Sequence, residues 1–320
     1  MTTMKALRFE KYGPPSILSL QELPTPVPKP GEALVELYAS AINPSDVKNV
    51  AGVFKASLPR IPGRDYAGVV VAGEGWVGKQ VWGSGAGFGV TRDGTHAQYL
   101  AVALDSLSEK PSHLSMEQAS AVGVPYLAAW SGLVTAGDIQ AGETVLITGA
   151  QGAVGRAATQ IAHWKKARVI GADIVSGPSD ADAFINTKES DLTVEVRGLT
   201  DGRGVDLVLD AVGGPMFEPG LQSLRVGGRQ MAIASLGNGR VEFNLVDFYH
   251  GLQRLIGVDT LKLTGPHIAK IMDALRAGFE DGDLSVSAVQ TWPLDHGIDA
   301  YEAVLKGEGA SKQVLLPRQS

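Results

Sequence analysis

The chain has 320 residues, 44% of them hydrophobic and 19% charged, a formal net charge of −6 and a pI near 5.6. That is enough chain for about two soluble globular domains, and the acidic balance, with no lysine- or arginine-rich run, argues against nucleic acid as the main partner. With no cysteine, the chain has no disulfide, no thiolate nucleophile and no zinc site built on sulfur.

The N-terminal "MTTMKALRFEKYG" scatters charges where a secretion signal needs an unbroken apolar stretch, so a cytoplasmic protein is expected. Up to about residue 110 the sequence reads as short strands divided by turns: "KALRFEKYG", the proline-rich "LPTPVPKPGE", "EALVELYASAIN" with apolar alternation at Leu34, Leu37 and Ala39, then "YAGVVVAGEG" and "GKQVWGSGAG". Within it "NPSDVK" places Asn43, Pro44 and Asp46 at the N-cap, N1 and N3 positions of a helix. Residues 119–137 carry no charge over nearly the length of a membrane span. Pro125, Gly123 and Gly132, and the strand that follows, make this a buried helix between domains, and no membrane role is expected.

From about residue 120 strands and helices alternate: "ETVLITG", "AVGRAATQIAHWKK", "ARVIGAD", "VDLVLDAVGG", "MFEPGLQSLRVGG", "RQMAIAS". Such alternation predicts an α/β fold with a parallel, doubly wound sheet covered by helices. Strand "TVLIT" runs into Gly149, Ala150, Gln151, Gly152, Ala153, Val154 and Gly155, a dinucleotide turn with alanine in its first position. Gly152 would admit a pyrophosphate, Gly155 would let helix and strand pack closely, and the amides of Ala153 and Val154 would meet phosphate. Asp173, 21 residues beyond Gly152 at the end of the next strand, is placed to bond a ribose 2′-hydroxyl and to repel a 2′-phosphate, which favours NADH over NADPH. Ser176 and Ser179 are the nearby hydroxyls that a phosphate would use instead. Without a ligand, the same glycines serve a plain strand-to-helix turn, and Asp173 a strand-end cap. No tyrosine has a lysine four residues on, which argues against a short-chain dehydrogenase.

Past residue 260, "PHIAKIMDALRAG" reads as a helix with Pro266 in its first turn, Ile268, Ile271, Met272 and Leu275 on one face, and Gly278 at its stop. A second helix follows near "GIDAYEAVLKG", and "KQVLLP" is a closing strand expected to return to the β-rich half. The domains expected are therefore 1–120 with 261–320, and 121–260.

The segments "AINPSDVK", "PGRDYAGVVVAGEG", "AQYLAV", "AGETVLITGAQGAVG", "GVDLVLDAVGG", "RVGGRQMAIAS" and "KQVLL" span nearly the whole chain. Together they resemble the medium-chain dehydrogenase/reductase superfamily, and within it the zinc-independent quinone oxidoreductase branch related to zeta-crystallin. The resemblance implies a GroES-like, β-rich catalytic domain, a Rossmann domain, an NAD(P)H cofactor, a small quinone or enone substrate and a homodimer. It places cofactor contacts at Ala150, Gly152, Ala153, Val154, Gly155, Asp173, Ala211, Val212 and Ser235. Zinc alcohol dehydrogenases of the superfamily carry a cysteine where "NPSD" stands and a His-Glu pair where Arg64 and Asp65 stand, so zinc-dependent alcohol oxidation is not expected. Ala128 stands where threonine is frequent, and Thr187 where a tyrosine often lies near the adenosine.

Without a metal, a substrate oxygen gaining charge needs fixed donors or a proton. The resemblance nominates Lys48 as that donor, with Asn43 orienting substrate or ribose and Asp46 holding the lysine or organising the turn. Helix capping alone also accounts for Asn43 and Asp46, and a solvated surface lysine for Lys48. Phe54, Phe243 and Phe248 line either an apolar pocket or the core, and the six histidines receive no role. The expected activity is reduction of a quinone or an α,β-unsaturated carbonyl. Reduction of an enoyl thioester, and cofactor binding without turnover, remain the alternatives.

Overall fold

The computed structural model describes residues 2–175, 177–307 and 311–319. The chain divides into two compact units, Met1–Val124 with Leu261–Ser320, and Pro125–Thr260. In chain order the first unit contributes β1 (Thr3–Arg8), β2 (Ser19–Pro24), β3 (Glu32–Ala41), α1 (Pro44–Val50), β4 (Tyr66–Ala72), β5 (Gln80–Gly83), β6 (Tyr99–Ala103), β7 (Ser108–Glu109) and α2 (Met116–Ser120). Helix α3 (Gly123–Trp130) leads into the second unit, with β8 (Thr144–Thr148), α4 (Ala153–Trp164), β9 (Arg168–Asp173), β10 (Ala183–Asn186), α5 (Leu192–Leu199), β11 (Val205–Asp210), α6 (Phe217–Ser223), β12 (Leu224–Ala232), α7 (Leu245–His250) and β13 (Arg254–Gly257). The chain then adds α8 (Gly265–Glu280), β14 (Val289–Pro293), α9 (Gly297–Lys306) and β15 (Lys312–Leu316).

In the first unit β3 is the hub. It pairs antiparallel with β4, β6 and β15. Ala33, Val35, Leu37 and Ala39 face the core at a strict period of two. Leu34 therefore points to the opposite face, correcting the expected set of Leu34, Leu37 and Ala39, since a step of three residues reverses the face of a strand. The closing strand β15 does return to this unit, between β14 and β3. Helix α8 starts with Pro266 in its first turn and buries Ile268, Ile271, Met272 and Leu275. It runs on to Glu280 and buries Gly278 rather than ending there. Packing of the apolar face outweighs the cost of an internal glycine, about 1 kcal/mol.

In the second unit the six strands are all parallel, in the order β10-β9-β8-β11-β12-β13. Counted along this unit that is 3-2-1-4-5-6, the doubly wound Rossmann order, with its reversal between β8 and β11. Both of these central strands are buried along their whole length, which is why "TVLIT" and "VDLVLD" read as unbroken rather than alternating apolar runs. The uncharged stretch 119–137 is not one helix: α2 ends at Ser120, α3 starts at Gly123, and residues Ser131–Ala136 form a π-helical turn. Among the described residues no helix is long and apolar enough to cross a membrane.

Arg229 on β12 ties this unit together. It makes a bidentate pair with Glu143 at 2.8 and 2.7 Å and donates to the carbonyls of Gly137, Asp138 (3.1 Å) and Asp206 (3.4 Å). Replacing Arg229 with Met leaves Glu143 and those carbonyls without their donor. The substitution is expected to lower the unfolding free energy by about 3 kcal/mol, read as a lower urea midpoint by circular dichroism.

Candidate active site

In the second unit, Thr148 ends β8 and Gly149 takes φ +67°, a conformation glycine adopts without strain. A Cβ on Gly155 would lie 2.3 Å from the Gly149 carbonyl oxygen and 2.6 Å from the Ala150 Cα, so only glycine lets α4 pack this close to the turn. Gly152 differs: a Cβ there would meet only the Gly149 carbonyl oxygen, at 3.2 Å, within 4 Å. It leaves an open cradle in front of the first turn of α4, whose leading amides at Ala153 and Val154 have no intrahelical acceptor. That turn carries no acidic residue. Open backbone, free amides and a helix N-terminus suit a pyrophosphate, so these residues fit a dinucleotide.

Asp173 closes the turn from β9. One carboxylate oxygen accepts from the Gln151 amide at 2.9 Å, and the other from Ile174 and Val175 at 2.7 and 3.2 Å. The Gln151 side chain reaches the carbonyls of Gly177 and Pro178 at 3.3 and 3.1 Å. Ser179 is exposed and caps Ala181, and Ser176 lies outside the described residues. Across the reversal point, Thr148 donates to Asp210 at 2.7 Å, and Asp210 gathers the amides of Val212 and Gly213. Ala211 and Val212 are half-buried at the strand ends; Ser235 is exposed, three residues past the end of β12. Phe243 and Phe248 pack against the core of this unit, while Phe54, in the first unit, is half-buried.

In the first unit, Asn43 and Asp46 meet at the start of α1, and Asp46 accepts from the Asn43 amide at 2.8 Å, as the spacing predicts for a cap. Tertiary contacts then enlist both. The Arg64 guanidinium donates to Asp46 at 3.0 Å and also bonds Ser45. The Asn43 carboxamide donates to Asp65 at 2.8 Å and to Asp46 at 3.1 Å, and its oxygen accepts from the Lys312 ammonium of β15 at 2.5 Å. Asp65 also accepts from Ser84 at 2.5 Å and from the Val124 amide at 2.9 Å. A Cβ on Gly123 would fall 2.2 Å from its carboxylate, so a glycine is needed there. Behind the ion pair, the ring of His96 faces Tyr301, whose hydroxyl lies 2.9 Å from Nδ1.

Asn43, Asp46, Arg64 and Asp65 are all at least 96% buried. Burial opposes ionisation of Asp46, but the Arg64 guanidinium and the Asn43 amide hold its carboxyl below the usual range. Burial pushes Asp65 up, against the pull of Lys312, and Asp46 pushes it further. Burial lowers the Lys312 ammonium despite both carboxylates. Burial also takes His96 down to about 4, so it is neutral at pH 7. Two carboxylates and two cations thus form a compensated buried cluster.

Lys48 is on the exposed face of α1. Residues two apart lie about 200° round a helix, so with Asp46 turned inward toward Arg64, Lys48 points to solvent and Asp46 does not hold it. Arg64, Asp65, His96 and Lys312 are the members of the cluster that sequence reasoning left without a role. Arg64 and Asp65 were visible as departures from a metal-binding pattern, whereas Lys312 carried no signal beyond its place in an apolar strand.

Residues 153–275 match the zinc-binding dehydrogenase family and residues 29–112 the alcohol dehydrogenase GroES-like domain. A zinc-type alcohol dehydrogenase-like protein of Schizosaccharomyces pombe is 36% identical over 98% of this chain and 97% of its own length. Quinone oxidoreductase of Pongo abelii is 30% identical over the same shares of the two chains. The crystal structure of an alcohol dehydrogenase superfamily protein from Novosphingobium aromaticivorans superposes with a TM-score of 0.87 at 32% identity, covering 98% of this chain and 99% of that one. The zinc in the first of these names does not suit this chain. Among the described residues no group of three or more His, Asp or Glu could hold an ion, an arginine stands where a ligand would be needed, and arginine offers no lone pair.

Arg64→Met leaves Asp46 buried without its cation and is expected to cost about 3 kcal/mol at pH 7. In the wild type, Asp46 contributes stability above its unfolded pKa that is lost as pH falls through its lowered folded pKa. Without Arg64, burial raises that pKa instead, so the variant recovers as Asp46 takes up a proton. Urea titrations across pH should show the difference between the two proteins narrowing on acidification.

Proposed function

The chain belongs to the medium-chain dehydrogenase/reductase superfamily, on its zinc-independent quinone oxidoreductase branch, and from that premise we propose that it is an NAD(P)H-dependent reductase of quinones or α,β-unsaturated carbonyls. The observation that carries this reading is the pairing of an intact dinucleotide cradle at Gly149–Gly155 with a charge-compensated cluster at Asn43, Asp46, Arg64 and Asp65 where zinc enzymes keep a metal. The bound cofactor would supply hydride. Ala150, Gly152, Ala153, Val154 and Gly155 would hold its pyrophosphate, with Ala211, Val212 and Ser235 along the other strand ends. In the first unit Asn43 and Asp46 act as the positioning frame; Lys48, nominated from the sequence as the donor to the substrate oxygen, faces solvent on α1 and lies outside that frame.

Asp173 supports NADH as the preferred cofactor. Residues 174–186 contain no lysine or arginine to meet a 2′-phosphate, and Asp180 and Asp182 add negative charge. Because Asp173 also holds the Gln151 amide, Asp173→Ser should weaken NADH binding as well as its selectivity. Stopped-flow absorbance at 340 nm against a panel of quinones and enones is expected to show kcat/KM at least about tenfold higher with NADH than NADPH, and a smaller ratio in the variant. Cofactor binding without oxidation on any acceptor points instead to a binding protein without turnover.

We also propose a homodimer built on β13. This strand is an edge of the six-stranded sheet. Leu255 on it and Leu245, Val246, Tyr249 and Leu252 beside it are exposed, more apolar surface than an unprotected edge carries without a partner. Light scattering after size exclusion should give twice the 33.5 kDa chain mass, and Leu252→Asp with Leu255→Asp should give the monomer.

A further inference from the structure

We propose that Lys312 is a catalytic residue of this reductase: its ammonium hydrogen-bonds the substrate carbonyl oxygen and stabilises the negative charge that develops there. The inference rests on the reductase reading above and adds to it a residue from the last strand, far in sequence from the "NPSD" segment.

Three observations converge on it. Lys312 donates to Asn43 and is drawn by Asp65. It therefore sits where the two segments "NPSD" and "GRDYAG" meet in the buried cluster, beside the Asn43–Asp65 bond. Its backbone is held on the β14 side, where Lys312 pairs with Val289 and its amide bonds Ala288 at 2.9 Å, while β3 pairs β15 two residues further on, at Val314 and Leu315. Finally, of the four charged residues in the cluster, Asp46, Arg64 and Asp65 are buried, while Lys312 is half-buried, with its ammonium turned inward to Asn43. An ammonium has three protons, and the bond to Asn43 uses one. Arg64 is already spent on Asp46, which leaves Lys312 as the cation of this cluster that can reach a ligand.

The chemistry balances with the lysine unchanged. When hydride reaches the β-carbon of an enone, the alkene pair shifts toward the carbonyl carbon and the carbonyl π pair moves onto oxygen. Lys312 bonds that oxygen more strongly as its charge grows, acting as a preorganised donor. The α-carbon then takes a proton from solvent, so one hydride and one proton are added in all. In a quinone the proton goes to oxygen instead.

The charged groups acting on Lys312 are Asp65 and Asp46, which hold its proton, and Arg64, which repels it. His96 and Tyr301 stand behind Asp46. From the neighbouring elements, β14 presents no titratable side chain, α2 carries Glu117, and Asp299, Glu302 and Lys306 of α9 line a hollow of about 680 Å³ with Ser311 and Gln313, the residues that alternate with Lys312 along the strand. Burial lowers the ammonium, so activity should fall as pH rises through its pKa.

The test compares wild type, Lys312→Met and Lys312→Arg with cyclohexenone and a soluble ortho-quinone, alongside NADH affinity from nicotinamide fluorescence. Lys312→Met should lose about 100-fold or more in kcat/KM with NADH affinity unchanged. Lys312→Arg should recover at least about tenfold of that, and its alkaline limb should move to higher pH because a guanidinium does not titrate there. Lys312→Met activity within about threefold of wild type overturns the proposal, leaving Lys312 as the neutraliser of Asp65. A loss of NADH binding that matches the loss of rate also overturns it. If Lys312→Met does not fold, the pH profile of Lys312→Arg decides: a shifted alkaline limb supports the role and an unshifted one removes it. A wild type that oxidises NADH with none of the acceptors overturns the reductase reading, whereas an active wild type beside an equally active Lys312→Met overturns only this proposal.

Discussion

The ion pair between Arg64 and Asp46, 3.0 Å long and shut away from solvent, is the constraint on which the first unit's site depends. A guanidinium and a carboxylate inside a protein persist only when every remaining donor and acceptor finds a partner. Asp46 finds one in the Asn43 amide, Asn43 in Asp65 and Lys312, and Asp65 in Ser84 and the Val124 amide. Each bond recruits a different element, so α1, the approach to β4, the end of β5, the start of α3 and β15 are fixed by one electrostatic requirement. The same requirement explains why zinc does not suit the cluster: its positive charge is already supplied by Arg64 and Lys312.

The second unit answers to a steric constraint instead. Gly155 is held against the Gly149 carbonyl, and no side chain fits between them. The close approach turns the first amides of α4 toward the reversal point of the sheet. Asp173 and Asp210 then gather the loop amides on either side of that point. Both carboxylates therefore shape the turns before any ligand arrives, and a ribose bonded to Asp173 would share it with Gln151.

On the proposed reading, these two arrangements divide the chemistry of the reductase between them. On that reading the glycine turn would receive anionic phosphate through backbone alone. The cluster is a charge-compensated group made of side chains alone, with Lys312 as its half-buried member. Neither needs a bound ion, which accords with a chain that has no cysteine.

The sequence by itself determined whatever depends on local spacing. The run from "TVLIT" through Gly155 to Asp173 made the doubly wound sheet and its glycine turn readable, because a strand, a tight turn and a helix are each specified within a few residues. The cap formed by Asn43 and Asp46 was readable for the same reason, as were the buried positions of α8. Faces that depend on neighbouring strands were less so: Leu34 was assigned to the wrong side of β3, and packing carried α8 past Gly278. Only the tertiary structure decided what joins Asp46 to Arg64, 18 residues away, and Asn43 to Lys312, 269 residues away. A buried charge selects its partner by distance in space and by the cost of leaving it unpaired, and neither quantity is written in the order of the residues.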